Sequence, residues 1–313
     1  MLSGGTLGAR RRRQVDQFER AGGEALAERG VVGVGGDRYG GGGYPPAAMR
    51  YCGVDISARP GNQQLVTLHE RRSADGLELV GTFYAPGGVE QIARTIEGFG
   101  RGQAVVGVDA PSAHRLDLLA PGSPVRSAVG LPDGRYERMR VCDALLFRRG
   151  LPLYPVPAAG QQQATWQAWI YVGFELFAAL EPLGRYTPPR SPTYEASVAD
   201  AALAHGKLFE TYPDAIFCSL LGHRPSPKRT PWGLQQRIAA LKQKGVVDED
   251  GGLWHRTLDE LDACAAAYTA YTLAAGRGTW VGDPQEGVIV LPASELLPSY
   301  EKLPPPSRAP LVA

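Results

Sequence analysis

The chain has 313 residues, of which 43% are hydrophobic, so it can bury the core of one large domain or two small ones. Its formal net charge of +1 excludes a global field that attracts nucleic acid, so anion binding needs a local cationic patch or a metal. No apolar run reaches the roughly 20 residues of a membrane span, and no apolar segment typical of a secretory signal follows the first arginines. We therefore expect a cytoplasmic protein without a membrane partner.

The two ends of the chain differ in composition from the middle. Residues 1–48 are rich in glycine and arginine and contain few large apolar side chains, which predicts a disordered tail. The arginine run within this segment could contact a phosphate backbone, although a solvated tail is the simpler interpretation. Met49 precedes the first predicted strand and is an alternative start of the chain. Residues 301–313 are expected to form a proline-rich tail, which leaves 49–300 as the folded domain.

The folded domain is predicted to begin with three strands, a helix and a fourth strand. An apolar run predicts a strand at 50–57, and alternating segments at 63–72 and 77–85 predict an antiparallel meander. Apolar residues at helical spacing predict a helix at 88–100, which ends at a glycine. The apolar segment 103–111 is typical of a strand buried on both faces of a sheet.

The rest of the domain is predicted to be mainly helical. The helix predicted at 161–184 is rich in aromatic residues, and we expect them to lie in the core rather than to form a base-stacking platform. These aromatic residues are Trp166, Trp169, Phe174 and Phe177. The remaining segments are predicted as a helix at 136–150, a strand at 205–213 and a helix at 233–245.

The last helix has the clearest boundaries. Thr257 and Glu260 have the spacing of a capping box, and Gly276 is a typical end of a helix. Alanines fill the middle of the helix and allow it to approach a sheet closely. Asp259 and Asp262 are three residues apart, so they share one face of this helix.

The tripeptide Gly-Val-Asp occurs twice, and each time its aspartate ends a predicted strand. These aspartates, Asp55 and Asp109, could be ordinary turn residues. If the two strands are parallel neighbours, their carboxylates lie about 5 Å apart and repel each other unless they are protonated or neutralised. A divalent cation would neutralise them, and ligation by oxygen alone favours Mg²⁺ or Mn²⁺.

Three further acids are candidate ligands, and each has a simpler interpretation. Glu210 could pair with a nearby lysine such as Lys207. Asp259 lies in the first turn of its helix and suits the helix dipole. Asp262 lies one turn further inside, on the alanine-lined face, where the dipole explains it less well.

These features together resemble the RNase H fold and, more narrowly, a prokaryotic family called domain of unknown function 429, described as predicted nucleases with that fold. The resemblance spans residues 50–293. It implies a mixed five-stranded α/β sheet in the order β-β-β-α-β-α-β-α, flanked by helices and interrupted by helical insertions. The matching segments are GVDIS, VGVDAPSA, RVCDALLFRRGLPLYPVP, FETYPDAIF, LDELDACAAAYTA and VGDPQEGVIVLP.

The resemblance also implies a metal-dependent nuclease that hydrolyses phosphodiester bonds of DNA or RNA at a two-metal acidic site. It makes the first and fourth strands parallel neighbours. Resolvases of this fold usually have a glutamate where this chain has Asp109, and they have no clear counterpart of Glu210. The implied catalytic residues are Asp55, Asp109, Glu210 and Asp262, the implied metal ligands are the same four and Asp259, and the expected phosphate contacts are Arg140 and Lys228.

Two other functions remain open from the sequence. The related core of sugar kinases and actin binds ATP, but no glycine-rich phosphate loop follows Asp55. A catalytically degenerate binding module is the other alternative. The four cysteines are scattered without a Cys-x-x-Cys pair, which argues against a zinc site and predicts free, mostly buried thiols with no disulfide-linked partner.

Overall fold

A nine-stranded mixed sheet organises the part of the chain that this computed structural model describes, which is 49–303 except for 60, 75, 101, 162, 163 and 251. Its strands are β1 (Arg50–Asp55), β2 (Gln64–Ser73), β3 (Gly76–Tyr84), β4 (Ala104–Asp109), β5 (Glu195–Ser197), β6 (Leu208–Glu210), β7 (Val246–Asp248), β8 (Thr279–Asp283) and β9 (Gly287–Leu291). Their order across the sheet is β5-β8-β9-β6-β4-β1-β2-β3-β7. The central strands β1, β4, β6 and β9 are parallel, while β2 pairs antiparallel with both β1 and β3.

Helices cover both faces of the sheet. They are α1 (Val89–Glu97), α2 (Pro124–Ala128), α3 (Val141–Arg148), α4 (Ala168–Ala179), α5 (Pro213–Leu221), α6 (Pro231–Gln243) and α7 (Leu258–Ala274). On one face, apolar residues of α1 and α4 pack against alternate residues of β1 and β4. On the other face, α5, α6 and α7 form a larger core with the sheet. The sheet is therefore the middle of three layers, with its central strands buried on both sides.

The repeated Gly-Val-Asp motif is explained by how α7 packs on the sheet. β1 and β4 pair in register, so Gly53 lies opposite Gly107 and Asp55 lies opposite Asp109. A Cβ at Gly53 would overlap the backbone of α7 at Ala263 and Ala267, so only glycine allows this close approach. Because side chains two residues apart share a face of a strand, both aspartates lie on the face covered by α7.

The predicted capping box begins α7. The Thr257 side chain accepts a hydrogen bond from the Glu260 amide at 3.2 Å, and the Glu260 carboxylate accepts one from the Thr257 amide at 2.7 Å. This reciprocal pair satisfies two backbone donors that would otherwise lack partners at the helix start. It fixes where the helix begins, and therefore where Asp259 and Asp262 lie.

The mixed α/β class and the initial β-β-β-α-β order are confirmed, whereas the predicted count of five strands is wrong. The strands β5, β7, β8 and β9 were not predicted from the sequence. The first two have only three residues each, too few to show an alternating pattern, and they gain hydrogen bonds by joining edges of an existing sheet. The predicted helix at 161–184 is also shorter, since α4 covers Ala168–Ala179.

The predictions for 1–48 and for most of the C-terminal tail lie outside the described residues. Within the described part of the chain, Glu301 and Lys302 still pair with Arg224. No helix there is long and apolar enough to cross a membrane. All four cysteines are free and buried, as predicted.

Candidate active site

A cleft of about 590 Å³ opens at the carboxyl ends of β1, β4 and β6. The parallel register of these strands brings their terminal residues to one edge of the sheet, where loops and helix starts complete the wall. The cleft contains six acidic side chains and two basic ones, so negative charge dominates it. These are Asp55, Asp109, Asp143, Glu210, Asp214 and Asp259, with Arg140 and Lys228.

Asp55 and Asp109 form a tightly coupled pair at the floor of the cleft. Their carboxyl groups are close enough to share a hydrogen bond, which requires one proton between them. Burial, followed by the charges of Asp262 and Asp259, raises the pKa of Asp55 to about 8. Burial and the adjacent Asp55 raise the pKa of Asp109 well above its usual range. The pair therefore retains a proton at neutral pH, because burial and the repulsion between neighbouring carboxylates disfavour ionising both groups.

Asp262 lies behind this pair and is held by Lys228. It is 2% exposed, and its Oδ2 accepts a hydrogen bond from the Lys228 ammonium at 3.1 Å. Its other oxygen, Oδ1, is buried and has no hydrogen-bond partner among the described residues. Burial raises the pKa of Asp262 to about 6, although Lys228 opposes this shift. Asp259 is instead exposed at the cleft wall, as its place in the first helical turn permits.

Glu210 lies in a separate network, in which Arg140 opposes the rise in its pKa that burial causes. Arg140 donates two hydrogen bonds to Glu210, at 2.6 and 2.8 Å, and two to Asp143, at 2.8 and 2.9 Å. Glu210 also accepts from the backbone and hydroxyl of Ser112, in the loop that follows Asp109. Burial would lower the pKa of Arg140, but Asp143 and the other acidic neighbours raise it well above its usual range, so it stays charged.

This network corrects two expectations from the sequence. The partner of Glu210 is Arg140 rather than Lys207, whose ammonium donates to the Gly102 carbonyl. The guanidinium of Arg140 is 1% exposed and bound to two carboxylates, so in this arrangement it is not free to contact a phosphate. Lys228 is 44% exposed at its side chain and remains accessible from the cleft.

One buried group among the described residues brings three possible ligand atoms within 4.8 Å of one another, namely Cys142, Asp143 and Glu210. This acidic and thiol cluster could hold a metal ion by its spacing. Arg140 already donates two hydrogen bonds to each carboxylate, and burial raises the pKa of the Cys142 thiol well above its usual range. Metal binding there would require the arginine to leave and the thiol to ionise.

The structure also identifies buried acids that sequence reasoning missed. The Glu286 carboxylate accepts hydrogen bonds from the amides of Leu116 and Val141, so it closes the start of α3 against the β8–β9 turn. Asp143 forms an ion pair with Arg140, which lies three residues before it in the chain. An Arg-x-x-Asp spacing on a helix start was the only available signal, and it is too common to be informative.

Aromatic side chains form another part of the cleft wall. Tyr154 and Trp169 line the cleft, and Trp166 contacts Tyr154 with 6.1 Å between ring centroids. The expectation of a core position is confirmed for Phe177, which is fully buried, and is wrong for Trp166, which is 51% exposed. Trp166 lies just before α4, where the helical pattern used for the prediction no longer applies.

The fold and site thus define a mixed α/β protein with an acid-lined cleft at the ends of its parallel strands. A family model described as "Protein of unknown function (DUF429)" matches residues 53–286, and the chain belongs to this family. The matched region contains all the acidic residues of the cleft. No curated protein and no solved structure matches the chain.

Proposed function

We propose that this protein is a metal-dependent nuclease that hydrolyses phosphodiester bonds of nucleic acid in the acid-lined cleft. The observation that carries the proposal is the uncompensated carboxylate pair of Asp55 and Asp109 beside Asp262. The three-strand meander, the helix and the parallel fourth strand support an RNase H-like arrangement, in which acids at these positions serve phosphoryl transfer. The expected substrate is DNA or RNA.

The residues fit a divalent metal on chemical grounds. Asp55 and Asp109 offer adjacent carboxylate oxygens, and Oδ1 of Asp262 is a buried acceptor that lacks a donor. Such an acceptor is costly in the folded protein unless a cation or donor reaches it. Oxygen ligands alone favour Mg²⁺ or Mn²⁺ over softer metals. When bound, such an ion would supply charge neutralisation and Lewis-acid activation of the phosphodiester.

Other residues of the cleft have supporting roles in this proposal. Lys228 offers its ammonium both to Asp262 and to the open cleft, so it can contact a phosphate oxygen of the substrate. Asp259, at the exposed wall, adds negative charge near Asp55 and is a weaker metal ligand than Asp262 in this proposal. Glu210 and Arg140 act as positioning residues, because their network holds the Ser112 loop directly after Asp109.

Incubation of the purified full chain with labelled nucleic acids tests the proposal. Single-stranded, duplex, RNA–DNA hybrid and branched substrates are compared in Mg²⁺, in Mn²⁺ and in chelator. We expect metal-dependent cleavage of at least one substrate, and its loss in Asp109→Asn. The control Asp133→Asn removes an acid that is fully exposed and does not line the cleft, and it should leave cleavage unchanged.

The alternative functions give different results in the same experiment. Binding of nucleic acid that ignores the metal, without cleavage, would favour a degenerate binding module. Conversion of added ATP to ADP, with transfer of its terminal phosphoryl group to an acceptor hydroxyl in place of strand cleavage, would favour a phosphotransferase related to sugar kinases. No cleavage of any of the four substrates in either metal would contradict the nuclease proposal.

A further inference from the structure

Three aromatic side chains beside the acids form a partly exposed cluster, which we call the aromatic wall: Tyr154, Trp166 and Trp169. Tyr154 is 66% exposed, and its ring lies 5.9 Å from Trp169 and 6.1 Å from Trp166. Large aromatic rings normally bury most of their surface, because leaving them in water forgoes a large hydrophobic gain. An exposed cluster of this kind next to a polar cleft is typical of a binding surface.

The aromatic wall is fixed relative to the acids by specific contacts. The Gln167 side chain, between Trp166 and the start of α4, donates to the Pro155 carbonyl at 3.2 Å and ties the two aromatic segments together. Tyr212 lies two residues after Glu210, and its hydroxyl donates a hydrogen bond to the Pro152 carbonyl at 2.7 Å. This bond anchors the loop that contains Tyr154. Trp169 also packs partly against the core formed by α1 and α4. These contacts therefore tie together the segments that carry the three rings.

Cationic side chains continue from the same cleft. A second cavity of about 260 Å³ shares Pro152, Tyr212, Asp214 and Lys228 with it. This cavity also carries Arg224 and Lys302. The surface thus combines flat apolar rings, an acidic floor and a cationic extension. The rings suit the bases of a nucleic-acid strand, the acidic floor with its metal suits the scissile phosphate, and the cationic extension suits the backbone that continues from it.

We propose that the aromatic wall stacks an unpaired nucleobase next to the phosphate to be cleaved, so that the protein selects strands with an unpaired base over continuous duplex. This inference rests on the proposed nuclease function. A base inside a duplex is covered by its neighbours on both faces, whereas an unpaired base can offer one face to Tyr154 or Trp166. Stacking of this kind tolerates all bases, so the wall selects strand structure rather than sequence.

A fluorescent base reports this contact directly. The full chain is titrated into an oligonucleotide with one 2-aminopurine, either in a single strand or opposite its complement, with Ca²⁺ as a metal that permits binding. We expect quenching by the wild type only for the unpaired base. Tyr154→Ala and Trp166→Ala should lose the quenching and weaken binding of the single strand roughly five- to hundredfold, while Trp166→Phe should retain most of both.

Trp254→Ala is the matched control, because Trp254 is 52% exposed, close to the 51% of Trp166, and among the described residues has no ring contact with the aromatic wall. It should change neither quenching nor affinity. The inference is overturned if the two alanine variants quench and bind like the wild type, even when the wild type cleaves nucleic acid. Equal affinity for adenosine monophosphate and for the oligonucleotide would overturn the assignment to a strand. Quenching without any cleavage in Mg²⁺ or Mn²⁺ would leave the wall in place and contradict the nuclease function alone.

Discussion

Two groups of acids share one cleft but differ in how their charge is balanced. In the compensated group, Arg140 lies between Asp143 and Glu210 and donates two hydrogen bonds to each. In the open group, burial raises the pKa of both Asp55 and Asp109, and Asp262 forms an ion pair with the partly exposed Lys228. Both groups are largely buried, so burial alone does not separate them.

This difference distinguishes acids with a structural role from acids that are available for chemistry. A buried carboxylate that is bound on both oxygens by a planar guanidinium has its charge satisfied and cannot easily exchange partners. Asp55 and Asp109 have pKa values raised by burial and by neighbouring carboxylates, and among the described residues neither forms an ion pair with a guanidinium, which suits them to bind a cation. The acids that most resemble a reactive site are therefore those that the protein itself leaves unbalanced.

The largest expected effect comes from removing Arg140, the cation that pairs with both carboxylates of the compensated group. Arg140→Met leaves two buried carboxylates without a cation, and we expect it to lower the free energy of unfolding by about 3–5 kcal/mol. Denaturant unfolding at pH 7 measures this loss. Arg149→Met, which breaks the less buried pair with Glu195, should cost about 1 kcal/mol or less. Equal losses in the two variants would contradict the distinction.

The next effect concerns the two acids of α7. Asp262→Asn should weaken metal binding or activity roughly 10- to 100-fold, because Asp262 is buried beside the open pair and has an unpartnered oxygen. Asp259→Asn should change them at most about fivefold, since Asp259 is exposed to solvent. Mn²⁺ titrations followed by melting temperature, together with cleavage rates, compare the two. A larger loss from the Asp259 change would reverse the ranking.

A smaller effect of opposite sign is expected in the metal-free protein. Asp109→Asn removes one of the two repelling charges and can still donate a hydrogen bond to Asp55. At a pH high enough to ionise both carboxyl groups, it should therefore stabilise the chelated protein by about 1 kcal/mol after solvent screening. The same change should abolish the rise in melting temperature that Mn²⁺ gives the wild type. A turn aspartate would instead give a destabilised variant and no metal effect in either protein.

The last expected effect is the pH dependence of the open pair. The folded protein keeps a proton on Asp55 up to a pH of about 8, whereas an unfolded aspartate releases it near 3.8. Since the folded state binds more protons in this interval, stability should fall as pH rises from about 4 to about 8 in chelator. Melting curves across this range, in wild type and Asp55→Asn, measure the slope. The variant should lose less stability, and an identical slope would show that other groups titrate.

Much of the open group could be predicted from local sequence. The two Gly-Val-Asp strands and the alanine-rich helix predict how they pack, because a glycine on the strand and alanines on the helix allow the two elements to approach closely. The capping box then sets the start of α7 and hence the place of Asp262. These signals work because each depends on residues no more than a few positions apart.

The tertiary structure alone decided which acids are balanced. Arg140 and Glu210 are 70 positions apart, and no local pattern indicates that one will neutralise the other. The same holds for Glu286, which accepts a hydrogen bond from the Val141 amide, and for Trp166, which lies exposed against Tyr154. The short strands β5 and β7 likewise gain their hydrogen bonds only from a sheet edge that already exists. Charge balance and edge pairing depend on distance in space, so sequence could place the acids at the ends of strands but could not show which of them lack a cation.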